Sequence, residues 1–322
     1  MRKLNLPKSF ASISLLVLAI LVFTFAASSQ DTQSTQTADS SPQKLEVEGV
    51  DNVFRLSKTI ISGACPVGEA GFTSLRDLGV RTIITVDGAK PDLELAKKFG
   101  MRYVHLPIGY NGLTRERQLE IGRAVRDLPG PVFIHCHHGK HRGPTAAVVA
   151  AMINEGWTTQ QAITAMKIVG TAPSYGGLYD TARAFQTPTK DELNEADATF
   201  PQTAPVPALA IAMVAIDERW EHLKDVRAAG WKVPKNHPDI DPPHEALLLQ
   251  EDFREMLRTP DTQARPADYR RWLEESETAA TALQAALRSN DGAKAEAAYQ
   301  QILANCDSCH IPYRNAAPIE RR

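Results

Sequence analysis

The sequence predicts an α/β region with a mostly parallel sheet flanked by helices, followed by an all-α four-helix bundle. Three observations predict this arrangement. Short β-branched stretches alternate with helical patterns over residues 46–187. From residue 206 onward apolar residues recur at helical spacing and no strand pattern appears. Between these two regions, residues 188–205 are rich in proline, threonine and alanine, which predicts a linker.

The first 28 residues have the pattern of an export signal. Three basic residues (Arg2, Lys3 and Lys8) precede an apolar stretch over residues 10–27, and small residues close it. An uncleaved membrane tether is the alternative, because the stretch is near the lower limit for spanning a bilayer. In either case we expect a periplasmic or otherwise extracytoplasmic protein. Residues 29–45 are polar and predict a flexible linker.

Composition excludes several classes of protein. The chain has 322 residues, 43% of them hydrophobic, which is enough for folded cores. Its net charge of -2 argues against nucleic acid as a partner, because nucleic-acid-binding proteins need a positive face. Four cysteines are too few for a disulfide-built fold of this size.

The α/β region has four predicted strands and six predicted helices. The strands are Val53–Ile61, Arg81–Val86, Arg102–Leu106 and Val132–His135. The helices are Gly71–Leu78, Pro91–Phe99, Thr114–Leu128, Pro144–Glu155, Thr159–Val169 and Gly177–Phe185. Because ligands of such sheets bind beyond the carboxyl ends of the strands, the loop after the fourth strand is the first candidate site.

That loop places Cys136 six positions before Arg142, which closes the loop ahead of the helix that Pro144 opens. A tight loop entering a helix turns successive backbone N–H groups inward and forms an anion site. Gly139 permits the sharp curve, and the planar guanidinium of Arg142 binds two oxygens of a phosphate. The helix end and Arg142 both favour a thiolate at Cys136, which is then placed to attack a bound phosphate.

Four residues of this loop, His135, Cys136, Gly139 and Arg142, match the pattern His-Cys-x-x-Gly-x-x-Arg. Residues 46–187 resemble the protein tyrosine and dual-specificity phosphatase superfamily, in particular a bacterial phosphatase-like branch. The resemblance implies hydrolysis of a phosphate ester or anhydride through a phosphocysteine, with Cys136 as nucleophile and His135 supporting the loop. The implied partner is a phosphorylated small molecule or a phosphoprotein.

Two departures from the family pattern bear on activity. Gly143 stands where the family has Ser or Thr, and Thr145 follows two positions later. The stretch from residue 107 to residue 112, where the family has its general acid, contains no Asp or Glu. Asp87, after the second strand, is the best substitute, and Glu116 is the next. Without an acid, alkyl phosphates should react more slowly by about 10²–10⁴.

The loop residues between Cys136 and Arg142 predict a basic pocket mouth that binds substrate. They are His137, His138, Gly139, Lys140 and His141. A His/Cys metal site in this loop is the less favoured interpretation, because adjacent side chains on a tight loop diverge. Cys65 is either a small buried residue or a disulfide partner for Cys136.

The second region predicts four helices around one apolar core. They begin near residues 209, 244, 266 and 291, and the last carries Cys306, Cys309 and His310. The spacing Cys-x-x-Cys-His is the attachment pattern of one covalent haem c, with His310 as axial ligand of the iron. The alternative, a bare redox cysteine pair, lacks its usual strand-to-helix context.

Residues 206–316 resemble the class II c-type cytochromes, the cytochrome c-prime group. The resemblance implies that Arg314 lies near the proximal ligand and that the first helix approaches the other face of the iron. Met213 on that helix is either a second iron ligand or core filler. A ligand at that position favours electron transfer with a redox partner protein, whereas an open iron favours gas binding. Pairing of bundles into a homodimer is common in this group.

The combined prediction is an exported bifunctional protein, a phosphatase-like domain fused to a haem domain. Two other functions stay open. Cys136 would carry a persulfide in a sulfur-handling redox protein, which fits the missing acid and the missing hydroxyl after Arg142. Alternatively, the chain is a pure electron carrier or gas sensor with an inactive phosphatase-like domain.

Overall fold

The structure, a computed structural model, describes residues 41–315. The predicted export signal, residues 1–28, lies outside the described residues. Within the described part, no helix combines the length and the apolar character needed to cross a membrane. The first strand, β1, begins at Gln43, inside the segment 29–45 that was predicted to be a linker.

Six strands form one mixed sheet in the order β1-β2-β3-β6-β4-β5. They are β1 (Gln43–Val47), β2 (Val50–Arg55), β3 (Ile60–Gly63), β4 (Thr82–Thr85), β5 (Arg102–His105) and β6 (Val132–His135). β1 to β3 pair antiparallel, whereas β3, β6, β4 and β5 run parallel. The prediction of a sheet flanked by helices is confirmed, but the first predicted strand is two strands. The N–H groups of Leu56 and Ser57 both donate to the Ile60 carbonyl and close a turn between them.

Helices cover both faces of the sheet. They are α1 (Gly68–Asp77), α2 (Leu93–Lys98), α3 (Arg115–Asp127), α4 (Arg142–Glu155), α5 (Thr159–Val169) and α6 (Gly176–Arg183). Successive strand residues point to opposite faces, so Ile84 and Ile134 pack in the core under α3 to α6. Ile83 and Phe133 pack in the core that contains residues of α1 and α2.

A short helix, α7 (Lys190–Glu195), lies within the segment predicted as a linker. Thr189 caps it in a capping box with Glu192, and Glu192 also pairs with Arg115 of α3 at 3.1 Å. The proline-rich composition therefore concealed a helix that docks on the α/β region.

The parallel strands end at one level, and this positions the candidate site. Thr85 and Gly63 both lie opposite His135 in the register, and His105 lies opposite Thr85. The loops that follow β3, β4 and β6 therefore meet at the same edge of the sheet. These loops carry Cys65, Asp87 and Cys136 respectively.

The C-terminal part is helical, as predicted. Its helices are α8 (Ala208–Ala228), α9 (Pro242–Arg258), α10 (Pro260–Gln263), α11 (Ala267–Arg288) and α12 (Gly292–Tyr313). The four long helices enclose one core, with Leu223, Leu249, Leu283 and Ile302 fully buried. A stack of Trp220 on Tyr299, with ring centroids 4.2 Å apart, joins α8 to α12 and closes the four-helix bundle.

Candidate active site and haem motif

Cys136 is buried at the start of the loop between β6 and α4. The loop packs directly on the end of β3, where a side chain on Gly139 would place its Cβ 2.2 Å from the Gly63 carbonyl carbon. Gly139 also has a φ of +64°, in the left-handed region. Both the close approach and the dihedral require glycine there, so the loop closes around Cys136.

The loop carbonyls point outward and are held there. Three carbonyls within residues 137–140 accept hydrogen bonds at 3.0 Å from the Cys65 N–H, 3.0 Å from the Asn52 side-chain amide and 2.7 Å from the Thr171 hydroxyl. In the part of the chain that the structure describes, the amides of residues 137–141 donate to no protein acceptor. With the carbonyls turned out, these amides form a preorganised site for an oxyanion.

Arg142 closes the loop from the first turn of α4. Its side chain is buried, its Nη2 donates to Asp87 Oδ1 at 3.2 Å, and its guanidinium lies 4.5 Å from the centre of the Tyr110 ring. Its Nε is buried and, among the described residues, donates to no acceptor. Arg142 is thus fixed by an acid and an aromatic face and keeps a donor for a phosphate oxygen.

Asp87 lies against Arg142, where it is a carboxylate. Burial opposes its charge, but the Arg142 guanidinium, the charges of nearby histidines and the Gly88 N–H at 2.6 Å outweigh burial and lower its pKa. A carboxyl with a lowered pKa is a poor proton donor at neutral pH. The second predicted acid, Glu116, is exposed in the first turn of α3.

Gly143 and Thr145, the first and third residues after Arg142, both lie close to the loop. A Cβ at Gly143 would lie 2.9 Å from the Cys136 amide nitrogen, so α4 approaches the loop too closely for a side chain. Thr145 does not supply the missing hydroxyl, because its Oγ1 donates to the His141 carbonyl at 2.9 Å. His135 is buried behind the loop, with its Nε2 at 2.6 Å from the Tyr103 hydroxyl.

The four basic side chains of the predicted pocket mouth lie in three different environments. His137 and His138 face Asp217 of α8, with Nε2–Oδ2 distances of 3.8 Å and 2.9 Å. His141 lies 4.1 Å from the Tyr175 ring, and burial, with the charge of a nearby arginine, lowers its pKa to about 4. Lys140 is exposed to solvent. The hydrogen bond to Asp217 raises the pKa of His138, so the basic character of the mouth differs from one side chain to the next.

Cys65 is a free thiol, as is Cys136. Its backbone N–H holds the His137 carbonyl, and its Sγ lies 3.8 Å from the Pro66 carbonyl oxygen. Burial, followed by the negative charges of Asp87 and Cys136, raises the pKa of Cys65 to about 12. It is therefore a neutral thiol beside the candidate nucleophile.

The haem motif lies on the last turns of α12. Cys306 and Cys309 are free thiols three residues apart, and both contact the bundle core. The Tyr269 hydroxyl is buried next to this motif and, among residues 41–315, has no hydrogen-bond partner. Two unpaired thiols one turn apart and the adjacent His310 imidazole are the donor set that a covalent haem requires, so the residues present fit that group.

Arg314 connects this motif to the Cys136 pocket. Its backbone N–H donates to the His310 carbonyl at 3.0 Å, and its Nη2 donates to the Tyr175 hydroxyl at 2.9 Å. Its guanidinium lies 4.9 Å from the Tyr110 ring centre, on the same ring that Arg142 contacts. The structure therefore places Arg314 between the haem motif and the pocket.

Met213 is the last of the predicted site residues. Met213 of α8 is partly buried and packs against the bundle core. Tyr110, Tyr175 and Asp217 were missed by sequence reasoning, since each reaches the site from a distant segment and belongs to no motif.

Comparison with known proteins gives one family match and several relatives. A model of the cytochrome C' family matches residues 253–314. Over 164 residues, 50% of the chain, the sequence is 25% and 26% identical to dual specificity protein phosphatase TpbA from two strains of Pseudomonas aeruginosa. The match covers 66% of that protein, so the chain spans slightly less than two thirds of its relatives' length.

Two solved structures align with the α/β part of the chain. One is TpbA of P. aeruginosa, with 22% identity, a TM-score of 0.40, and coverage of 46% of this chain and 92% of that one. Another is the core catalytic domain of the PP-IP phosphatase SIW14 from S. cerevisiae, with 15% identity, a TM-score of 0.39, and coverage of 46% and 92%. The N-terminal half of the chain is thus similar to a dual-specificity phosphatase, and residues 253–314 match the cytochrome C' family.

Proposed function

We propose that this chain is an exported bifunctional protein whose α/β region is a cysteine-dependent phosphatase. The observation that carries the proposal is a loop after Cys136 whose carbonyls are bonded to other segments and whose amides donate to no acceptor among the described residues, with the buried Arg142 at its end. The Cys136 thiolate attacks phosphorus in line, the bond to the leaving oxygen breaks, and a phosphocysteine forms. Water then attacks phosphorus and releases inorganic phosphate and the thiolate. The loop amides and Arg142 stabilise the charge on the three equatorial oxygens.

The leaving group decides which substrates react well. Asp87 is ionised and bound to Arg142, so no proton is available from it for the departing oxygen. The aryloxide of an aryl phosphate and the phosphate group of an anhydride leave without protonation, whereas the alkoxide of an alkyl phosphate does not. We therefore propose aryl phosphates or anhydrides as the substrate class, and assign Asp87 to positioning Arg142.

Hydrolysis of an aryl phosphate by Cys136→Ser tests the mechanism. A serine hydroxyl is not ionised at neutral pH, so we expect kcat to fall by at least about 10³ and no covalent phosphoenzyme to form. Cys65→Ser is the matched control, because Cys65 is a neutral thiol in the same edge of the sheet and keeps its backbone hydrogen bond. Equal rates in Cys136→Ser and the wild type would falsify the phosphocysteine mechanism.

We also propose that Cys306 and Cys309 carry one haem c covalently, with His310 as axial ligand. When bound, the haem supplies electron transfer or gas binding. Covalent attachment through two thiols predicts that haem stays with the protein on acid–acetone extraction, and that the double variant Cys306→Ala/Cys309→Ala releases it. Haem attachment of this type takes place outside the cytoplasm, which agrees with the proposed export.

A further inference from the structure

Three potential metal ligands converge where the Cys136 loop meets α8. His137 and His138 of the loop and Asp217 of the helix each offer one ligand atom, and these atoms all lie within 4.8 Å of one another. Asp217 Oδ2 is 3.8 Å from His137 Nε2 and 2.9 Å from His138 Nε2. All three side chains are partly exposed, so the cluster is accessible from solvent.

We propose that His137, His138 and Asp217 bind a divalent transition-metal ion of the Zn²⁺ class. Zn²⁺ takes imidazole nitrogen and carboxylate oxygen at about 2.0–2.2 Å, which in a tetrahedron separates ligand atoms by roughly 3.4 Å. The two distances to Asp217 Oδ2 lie on either side of this value, so changes of about half an ångström bring the atoms into place. Two imidazoles and one carboxylate leave a coordination position open to solvent or substrate.

Adjacent histidines on a tight loop are expected to diverge, but the rings of His137 and His138 lie together in this structure. Their rings meet edge to face at 84°, with centroids 4.5 Å apart. Both Nε2 atoms face the same carboxylate oxygen, at 3.8 Å for His137 and 2.9 Å for His138. An ion pair needs only one imidazole for one carboxylate. Here a second imidazole, that of His137, faces the same Asp217 oxygen, and this favours a metal ion over a simple salt bridge.

The neighbouring acid does not complete the ligand set. Glu221 Oε1 is 3.7 Å from His138 Nε2, but it accepts from Lys224 Nζ at 2.5 Å in an ion pair along α8. The proposed site therefore has three protein ligands. A dication held there joins the nucleophile loop to α8.

Zinc binding by the full-length, haem-loaded protein tests the proposal. Equilibrium dialysis with Zn²⁺ should show one ion bound per chain, with at least a tenfold loss of affinity in His138→Ala and in Asp217→Asn. X-ray absorption at the zinc edge should show two imidazole nitrogens and oxygen near 2.0 Å. His222→Ala is the matched control. His222 lies on α8, like Asp217, and pairs with Glu245 of α9 at 2.9 Å without a second imidazole.

The outcomes separate this proposal from the phosphatase proposal. Cys136→Ser should bind zinc like the wild type, since Cys136 is not among the ligands. His137→Ala gives a third ligand variant should one of the others fail to fold, as judged by circular dichroism. The absence of stoichiometric binding in the wild type, or unchanged affinity in folded ligand variants, overturns the metal site and leaves the phosphatase mechanism untouched.

Discussion

At the scale of single residues, the state of Asp87 distinguishes this site from an acid-assisted phosphatase. Its carboxyl is buried against Arg142, whose charge is the main factor that lowers its pKa. A carboxyl whose pKa is lowered is already ionised at any pH above its ordinary pKa of 3.8. It becomes protonated only when the pH falls below that value. We therefore expect Asp87 to hold Arg142 and to donate no proton between about pH 5 and pH 8.

Replacing Asp87 by Asn tests this positioning role. Asn has a similar shape but no charge, so Arg142 loses a charge-assisted hydrogen bond worth about 1.5–3 kcal/mol. We expect KM for an aryl phosphate to rise by about tenfold or more, and the basic limb of the pH profile of kcat/KM to keep its position. A basic limb that is present in the wild type and vanishes in Asp87→Asn would instead identify Asp87 as the general acid.

Gly139 is the second single residue on which the loop depends, because no residue with a side chain fits there. Alanine there adopts a φ of +64° at a cost of about 1–2 kcal/mol and drives its Cβ into the backbone of Gly63. We expect Gly139→Ala to lose most activity and phosphate binding, because the amides no longer converge on Cys136. Gly156→Ala is the control: its φ is +70°, but no atom lies within 4 Å of the added Cβ. Comparable activity losses in the two variants would show that the close approach to Gly63 is unimportant.

At the scale of elements, the sequence predicted most helices well and the sheet incompletely. α5 has the predicted bounds, because Thr158 caps its start and Gly170 ends it in the left-handed conformation. The stretch 53–61 was predicted as one strand, because a β-branched run does not show where a short turn interrupts it. α7 was missed, since its capping residues stand in a segment dominated by proline and threonine.

The candidate site was also predicted only in part from the sequence. Cys136, Gly139 and Arg142 belong to one loop, so their spacing in sequence predicts that they meet. The partners that fix them do not follow from any local pattern. Asn52, Thr171 and Tyr110 come from three separated segments, and only the packed sheet brings them to the loop. Long-range packing therefore determines the electrostatics of a site whose chemistry is encoded locally.

At the scale of the whole molecule, α12 belongs to both halves of the protein. It carries the haem motif, and Arg314 at its end contacts two tyrosines of the phosphatase-like pocket. Arg142 and Arg314 both lie within 5 Å of the centre of the Tyr110 ring. The Tyr110 ring therefore joins Arg142 of the anion site to Arg314 of the bundle, and we expect anion binding at Arg142 to affect the end of α12.

This linkage gives a measurable prediction for Arg314→Ala. In the wild type, inorganic phosphate at 100 times its Kd should stabilise the binding-competent state by about 2.7 kcal/mol and slow hydrogen exchange in the Cys136 loop and at the end of α12. In Arg314→Ala the loop should still be protected, the end of α12 should not, and KM for an aryl phosphate should rise by about tenfold. Arg271→Ala is the control, because Arg271 lies over Trp272 on α11 and contacts no residue of the pocket in the described structure. Protection of α12 that persists in Arg314→Ala would mean that the anion acts on the bundle by another route.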